Sequence, residues 1–535
     1  MSACPTPTGA DRRLAEETRR RRTFAIISHP DAGKTTLTEK LLLYAGAVQT
    51  AGLVRASKGG QGTVSDWLSI ERERGISVTS SAMQLPYKGA SITILDTPGH
   101  NDFCEDTYRT LLAADSAVMV IDAAKGVEAQ TKKLFAVCAR RGLPILTFMN
   151  KLDLRAQDPL DLMTNVEEAL GIQAAAMSWP IGSGRDFAGI IDRSAGEVVL
   201  FDQGAGRTKR ARERRFRLDD PAVAAEVAPE ALERARHELE LLDVAGNPFD
   251  KDRFLRGELT PVFFGSALSN FGVEDFFDAF VDLAPCPPPR QADVAGGGVV
   301  EVDPVRDRFS AFVFKVQANM NPKHRDNMAF MRICSGRFER DMVVKHHRTG
   351  KQVRMTHPYT TLARERTTVD EAFPGDVIGI VDPGAFIIGD TVSLDGGFDY
   401  KPLPQLAPTV LARIRPKDVG RRKAFDKGLD QLVAEGTVQA VHVLPARELH
   451  VAAVGKLQFE VLQHRLRQEY GVETELTARV YEHALWLVGD PAAFTSASGT
   501  LAIDGRGRHL ALFDDAFSMR YALQRSEALT FVDCL

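Results

Sequence analysis

From 23 to about 283, short apolar runs alternate with longer stretches whose apolar residues recur every three to four positions. That alternation predicts a doubly wound α/β domain, a parallel sheet with helices on both faces. Its strands are expected at 24–28, 91–96, 117–122, 145–150 and 262–265, with one more at 83–87. An insertion at about 182–260 opens with Gly182, Ser183 and Gly184, carries a basic run, and turns acidic and helical near 226–242. A Pro-rich stretch at 285–289 and a Gly-rich one at 296–298 read as a linker. Beyond it, short β-like runs at 308–316, 329–334, 342–346 and 376–381 are spaced by turns, which predicts a small β-barrel. From about 402 the order is strand (409–415), helix (422–435), two strands (438–444, 450–454) and helix (457–468), a split βαβ pattern. The remainder, with Trp486 and Tyr521, reads as further strands and a short helix without a defined packing. The expected division is an N-terminal extension (1–22), an α/β domain (23–294), a β-barrel domain (295–401) and an α+β domain (402–535).

Composition narrows the class more than the function. A length of 535 residues suits three or four domains. Hydrophobic residues at 44% with no long apolar run exclude a membrane span by helix. The start mixes Arg12, Arg13, Arg19 and Arg20 with Asp11, Glu16 and Glu17 and lacks the apolar core of a signal peptide. Six scattered cysteines show no C-x-x-C pair, which argues against a zinc ribbon or a disulfide scaffold. A cytoplasmic protein is expected. With a net charge of −4, contact with nucleic acid must run through local patches. The densest are Arg19 to Arg22, the run from Arg207 to Arg217, and Arg413, Arg415, Lys417, Arg421, Arg422 and Lys423; a solvated surface is the competing reading for each.

The chemistry sits in the loops after the strands, where ligands of this fold class bind. After the first comes Ser28, His29, Pro30, Asp31, Ala32, Gly33, Lys34, Thr35, Thr36, which meets G-x-x-x-x-G-K-[ST] everywhere except at Ser28. Such a loop cradles phosphates with backbone N–H groups and the positive end of a helix; Lys34 is expected to reach the phosphates and Thr35 to offer its hydroxyl to Mg²⁺. A strand-to-helix turn that merely carries Gly-Lys-Thr is the alternative. The next parallel strand runs into Asp96, Thr97, Pro98, Gly99 and His100. Asp96 suits the Mg²⁺ shell, Gly99 lets a backbone N–H approach the γ-phosphate, and His100 is placed to orient a water. A later strand ends in Asn150, Lys151, Leu152 and Asp153. The Asp153 carboxylate accepts from the N1–H and N2–H₂ of guanine, a donor pair adenine lacks. Asn150 is expected to tie this loop to the phosphate loop, Lys151 to lie over the base, and the Ser266, Ala267, Leu268 loop to give a backbone N–H to the guanine O6. Between the first strands, the charged segment 65–78 reads as a loop that orders around the γ-phosphate, with Ser77 as its metal hydroxyl. Each loop alone has a bland explanation; four in order point to a GTP/GDP site with Mg²⁺.

These motifs, together with Arg74, Gly75 and Ile76, resemble those of P-loop translational GTPases of the elongation-factor G group. Within that group the chain is most similar to the class II peptide-chain release factors of bacteria. The narrower likeness rests on Ser28 to Asp31, Ser65-Asp66-Trp67, Phe263 to Ala267, Lys315 to Met320 and Pro322 to Asp326. Ser28 fits this family, and Ser77 stands where the wider group has threonine. The resemblance implies a ribosome-stimulated GTPase of translation termination whose partners are the ribosome, through its RNA and proteins, and functionally the class I release factors, which leave after peptide release. It also implies a monomer with no membrane or DNA partner, and Lys34, Gly99 and His100 as the catalytic set. No arginine stands out as a finger in cis, so intrinsic hydrolysis is expected to be weak. Lys315, Lys323, His324 and Arg325 face either RNA or solvent on the barrel. The chain ends where a tRNA-translocating factor would carry further domains, so translocation is not expected. A ribosome-rescue or antibiotic-protection GTPase and a GTP-dependent scaffold with little hydrolysis are the alternatives.

Overall fold

The computed structural model describes residues 12–47, 80–201, 213–317, 327–362, 365–382, 384–401, 405–479, 481–494, 499–525 and 529–535. In its first part the strands, in chain order, are β1 (Arg21–Ser28), β2 (Ser81–Tyr87), β3 (Ala90–Asp96), β4 (Ser116–Asp122), β5 (Ile145–Asn150), β6 (Gln173–Ala176), β7 (Ser178–Ile181), β8 (Gly189–Asp192), β9 (Glu197–Phe201), β10 (Glu213–Arg217) and β11 (Leu259–Phe264). Seven of them form one sheet in the order β2-β3-β1-β4-β5-β11-β6, parallel except for β2 at one edge. All seven residues of β4 are buried, as a strand covered on both faces requires. The edge strand β6 escapes sequence reading because Gln173-Ala174-Ala175-Ala176 lacks the β-branched and aromatic residues that announce a strand. The last strand ends at Phe264, one residue earlier than expected: a Cβ on Gly265 would lie 2.3 Å from the Phe271 carbonyl oxygen, so the chain turns out of the sheet there.

The insertion is a four-stranded antiparallel sheet, β10-β9-β8-β7, with helices Pro221–Glu226 and Pro229–Ala245. Fully buried Trp179 anchors it, donating from Nε1 to Glu238 at 2.8 Å. Of the basic run, Arg214, Arg215 and Arg217 pair with Glu226, Asp275 and Asp219, so this part is a solvated strand; 207–212 lie outside the described residues.

The extension is built into the fold. Helix Arg12–Arg20 packs Leu14 and Ala15 against Val305 and Phe373 of the second domain, and β1 starts at Arg21, ahead of the expected boundary. Arg21 lies buried 3.0 Å from Asp376, Arg22 bonds backbone carbonyls, and Arg20 pairs with Glu17, so no basic patch remains for nucleic acid across Arg20 to Arg22. The second domain is an eight-stranded antiparallel half-barrel centred on Ser310–Gln317 and Asn327–Ser335. Its seam with the first domain is ionic: fully buried Asp115 holds Arg290 at 3.0 Å and also pairs with buried Arg332. Lys315 is buried, donates to the Ser80 carbonyl and lies over the Phe330 ring, so it faces neither RNA nor solvent; 323–325 lie outside the described residues.

In the third domain, strands Val410–Pro416, Gln439–Val443, Glu448–Ala453 and Thr474–Arg479 alternate with helices Arg422–Ala434 and Lys456–Tyr470 in β-α-β-β-α-β order. The first strand sits between the last and the third, the split βαβ arrangement. Strands Thr500–Asp504, His509–Phe513, His483–Val488 and Thr530–Val532 extend the same sheet from Gln439–Val443, with Trp486 fully buried, which gives the end of the chain its packing. Arg413, Arg415, Lys417 and Arg422 each have a carboxylate partner. No helix among the described residues is long and apolar enough to cross a membrane.

Candidate nucleotide-binding site

The carboxyl ends of β1, β3, β5 and β11 bring the predicted loops together. After buried Ser28 the chain passes His29 and Pro30 and turns through Asp31 and Gly33, at φ 65 and 98. Helix Lys34–Tyr44 then begins, its first closing bond from Leu37 N–H to the Gly33 carbonyl at 2.9 Å. The N–H groups of Lys34, Thr35 and Thr36 therefore have no acceptor within the helix, which leaves an anion-binding end. A Cβ at Gly33 would lie 2.3 Å from Nδ2 of Asn150, so only glycine admits that side chain.

Asn150 stitches three loops. Its Nδ2 donates to the Ala32 carbonyl at 2.8 Å, and its Oδ1 accepts from the N–H groups of Ala267 and Lys151, each at 2.8 Å. Asp153 Oδ1 accepts from the Ser266 hydroxyl at 2.6 Å, and that oxygen accepts from Ser269 N–H at 3.2 Å, so the carboxylate is held in place beside half-buried Leu268. Lys151, at φ 71, sets its ammonium 2.8 Å from Asp122, a carboxylate at the end of β4 that no motif had marked. His29 likewise faces Glu128 at 3.4 Å, while its Nδ1 is buried with no hydrogen-bond partner.

Lys34 and Asp96 form a buried ion pair across the site. The Thr97 hydroxyl donates to the Ile26 carbonyl at 2.6 Å and that of Thr107 to the Pro98 carbonyl at 3.1 Å, which fixes the turn before Gly99. A Cβ at Gly99 would meet Pro30 Cα at an ordinary 3.7 Å, so local packing does not demand glycine there. His100 is just over a third exposed, at 37%, and its Nδ1 accepts from Asp102 N–H at 3.2 Å. Ser77, with the segment 65–78 and Arg74 to Ile76, lies outside the described residues.

Sequence reading missed what lies behind His100. Asp102 accepts from Leu457 N–H of the third domain at 2.9 Å, near the start of helix Lys456–Tyr470. In the following helix, Cys104–Ala113, buried Glu105 accepts from Leu406 N–H at 3.1 Å and Gln439 at 3.2 Å and pairs with Arg109. Burial pushes its pKa up despite Arg109 and these donors. Only the spatial neighbours disclose these residues; their spacing carries no motif.

The donor set fits a guanine nucleotide, with unpaired helix N–H groups and Lys34 for phosphate and a fixed carboxylate for the base; the Ala267 N–H, expected to serve the guanine O6, is instead taken by Asn150 Oδ1. It also fits Mg²⁺, a hard ion that takes one or two protein oxygens plus phosphate, with Thr35 and Asp96 as donors. Comparison with known proteins agrees in order and extent. Residues 19–286 match the elongation factor Tu GTP-binding domain, 308–395 domain 2 of elongation factor G, and 400–523 the C-terminal domain of the class II release factor RF3. The chain is 52% identical to a peptide chain release factor 3 of Symbiobacterium thermophilum over 97% of its own length and 98% of that protein's. It is 51% identical to that of a Synechocystis strain over 89% and 86%. A crystal structure from Thermus thermophilus superposes with a TM-score of 0.69 at 23% identity, covering 91% of this chain and 72% of that one, which supports the three-part fold.

Proposed function

The chain belongs to the peptide chain release factor 3 family, and from that premise we propose that it binds the ribosome with GTP, promotes departure of class I release factors after peptide release, and leaves on hydrolysis. It is a GTPase of translation termination; the ribosomal stimulation and the release step are the proposal. Lys34 neutralises phosphate charge, the Gly99 N–H reads the γ-phosphate, and His100 orients the attacking water. Asp153 selects guanine, and Asn150, holding Ala32, Lys151 and Ala267, sets the distance between base and phosphate. Thr35, Asp96 and Ser77 are the oxygens for Mg²⁺, which when bound supplies positive charge to the β- and γ-phosphates.

The observation that carries this reading is the Asn150 junction, which fixes the phosphate loop, the base loop and Ala267 within single hydrogen bonds of one another. Single-turnover hydrolysis of GTP, with and without ribosomes, tests it. Turnover that rises on adding ribosomes supports the reading; equal turnover sinks it and favours the scaffold alternative.

A further inference from the structure

The last helix, Ala516–Arg525, is an anchored element with a free outer face. Ala522 is buried in a cluster with Ala511 and Phe513, and Met519 packs beside it, so the inner face is spent on the fold. On the outer face Phe517 is 70% exposed, although neither the sheet nor the helix needs an aromatic there. Its ring stacks on Tyr521 at 6.3 Å between centroids and 22°, and the Arg525 guanidinium caps Tyr521 at 4.8 Å. These three residues lie four apart, one above another along a single helix face.

Charge alone does not set this face apart, since exposed Arg421 and Lys423 also lack a carboxylate within ion-pair distance among the described residues; the aromatic pair beside the charge does. Among the described residues, Arg520 and Arg525 have no carboxylate within ion-pair distance, and both are exposed, whereas Arg413, Arg415, Lys417 and Arg422 of the same domain are each paired. The helix carries two arginines and no acid in its span. An exposed Phe517 stacked on a half-buried Tyr521 that a cation caps, with unpaired positive charge alongside, has the chemistry that takes unpaired nucleic-acid bases: rings supply stacking planes, guanidinium supplies stacking and phosphate contact. Aromatic residues and Arg are enriched at protein interfaces too, so a ribosomal protein is the competing occupant, which cross-linking separates.

We propose that Phe517, Tyr521 and Arg525 form a stacking platform for unpaired bases of RNA, by which the third domain docks on the ribosome. The inference rests on the proposed function, since it takes the ribosome as the source of that RNA. The test uses the full chain with ribosomes and a non-hydrolysable GTP analogue. The double variant Phe517→Ala/Tyr521→Ala is expected to bind ribosomes at least about tenfold more weakly, while GTP affinity is unchanged and Phe517→Trp retains binding. Ultraviolet cross-linking of the wild-type complex is expected to leave nucleotide adducts on residues 516–525. Undiminished ribosome binding by the double variant, or cross-links from this helix to ribosomal protein with no nucleotide adduct, overturns the platform. If the wild-type chain itself fails to bind ribosomes, the proposed function falls and takes this inference with it.

Discussion

Asp102 accepts a hydrogen bond from the N–H of Leu457 at 2.9 Å across 355 residues of chain, so the loop that bears His100 is tied to the start of a helix in another domain. The same carboxylate lies 3.4 Å from His100 Nδ1. One side chain thus touches both the residue assigned to the attacking water and the domain that carries the basic, aromatic outer helix. A displacement of the third domain would therefore disturb the contact behind His100.

A methyl group at residue 455 tests that connection. A Cβ on Gly455 would lie 1.9 Å from Asp102 Cγ, so the carboxylate must leave its place between His100 and the Leu457 N–H. Gly455→Ala is expected to leave GTP binding within about threefold, while ribosome-stimulated turnover falls at least about tenfold because Asp102 and His100 lose their register. Turnover equal to wild type would show that the contact is passive.

His100→Ala is expected to lower ribosome-stimulated hydrolysis by about 10²–10⁴-fold, the usual worth of a positioned group in proton transfer, with GTP affinity nearly unchanged. Single-turnover kinetics and nucleotide binding on the same preparation measure the two. Loss of both together would place His100 in binding instead.

Asp153→Asn exchanges an acceptor for a donor against the base edge. Guanine then loses a pair of charge-assisted bonds, while xanthine, with a carbonyl at C2, gains an acceptor the amide satisfies. Competition binding is expected to show GTP weakened at least about thirtyfold and xanthosine triphosphate strengthened; an unaltered order of preference would remove Asp153 from the base site.

Glu213 supplies a pH dependence. Burial, with Asp275 and Glu274 nearby, pushes its pKa up to about 7, and its Oε1 has no hydrogen-bond partner. The folded state holds this proton more tightly than the unfolded chain. Its contribution to stability is thus full below about pH 4.5, the ordinary glutamate value, and is lost as pH rises through about 7. Glu213→Gln is expected to raise the melting temperature by a few degrees at pH 8 and to leave it unchanged near pH 4. Equal shifts at both pH values would show that charge is not the cause.

The nucleotide loops were readable because each is a contiguous string whose spacing is fixed by one strand end: Ser28 to Thr36, Asp96 to His100, Asn150 to Asp153 and Ser266 to Leu268. The strands before them were readable because buried parallel strands are near-continuous apolar runs. What stayed hidden depends on partners far away in the chain. Arg19 to Arg22 look like a basic patch until Asp376 and backbone carbonyls enclose Arg21 and Arg22, and Lys315 looks solvent-facing until Ser80 and Phe330 cover it. Asp102 has no motif of its own; its meaning comes from Leu457 and Gly455, and periodicity does not encode which domain surface meets which.

Release of a labelled class I release factor from post-termination ribosomes, followed with this chain and GTP, GDP or no nucleotide, decides whether the chain acts in termination as proposed. Fast release with GTP and slow release in the other two conditions is the predicted result. Release at one rate in all three would rule out a GTP-driven role in release-factor departure.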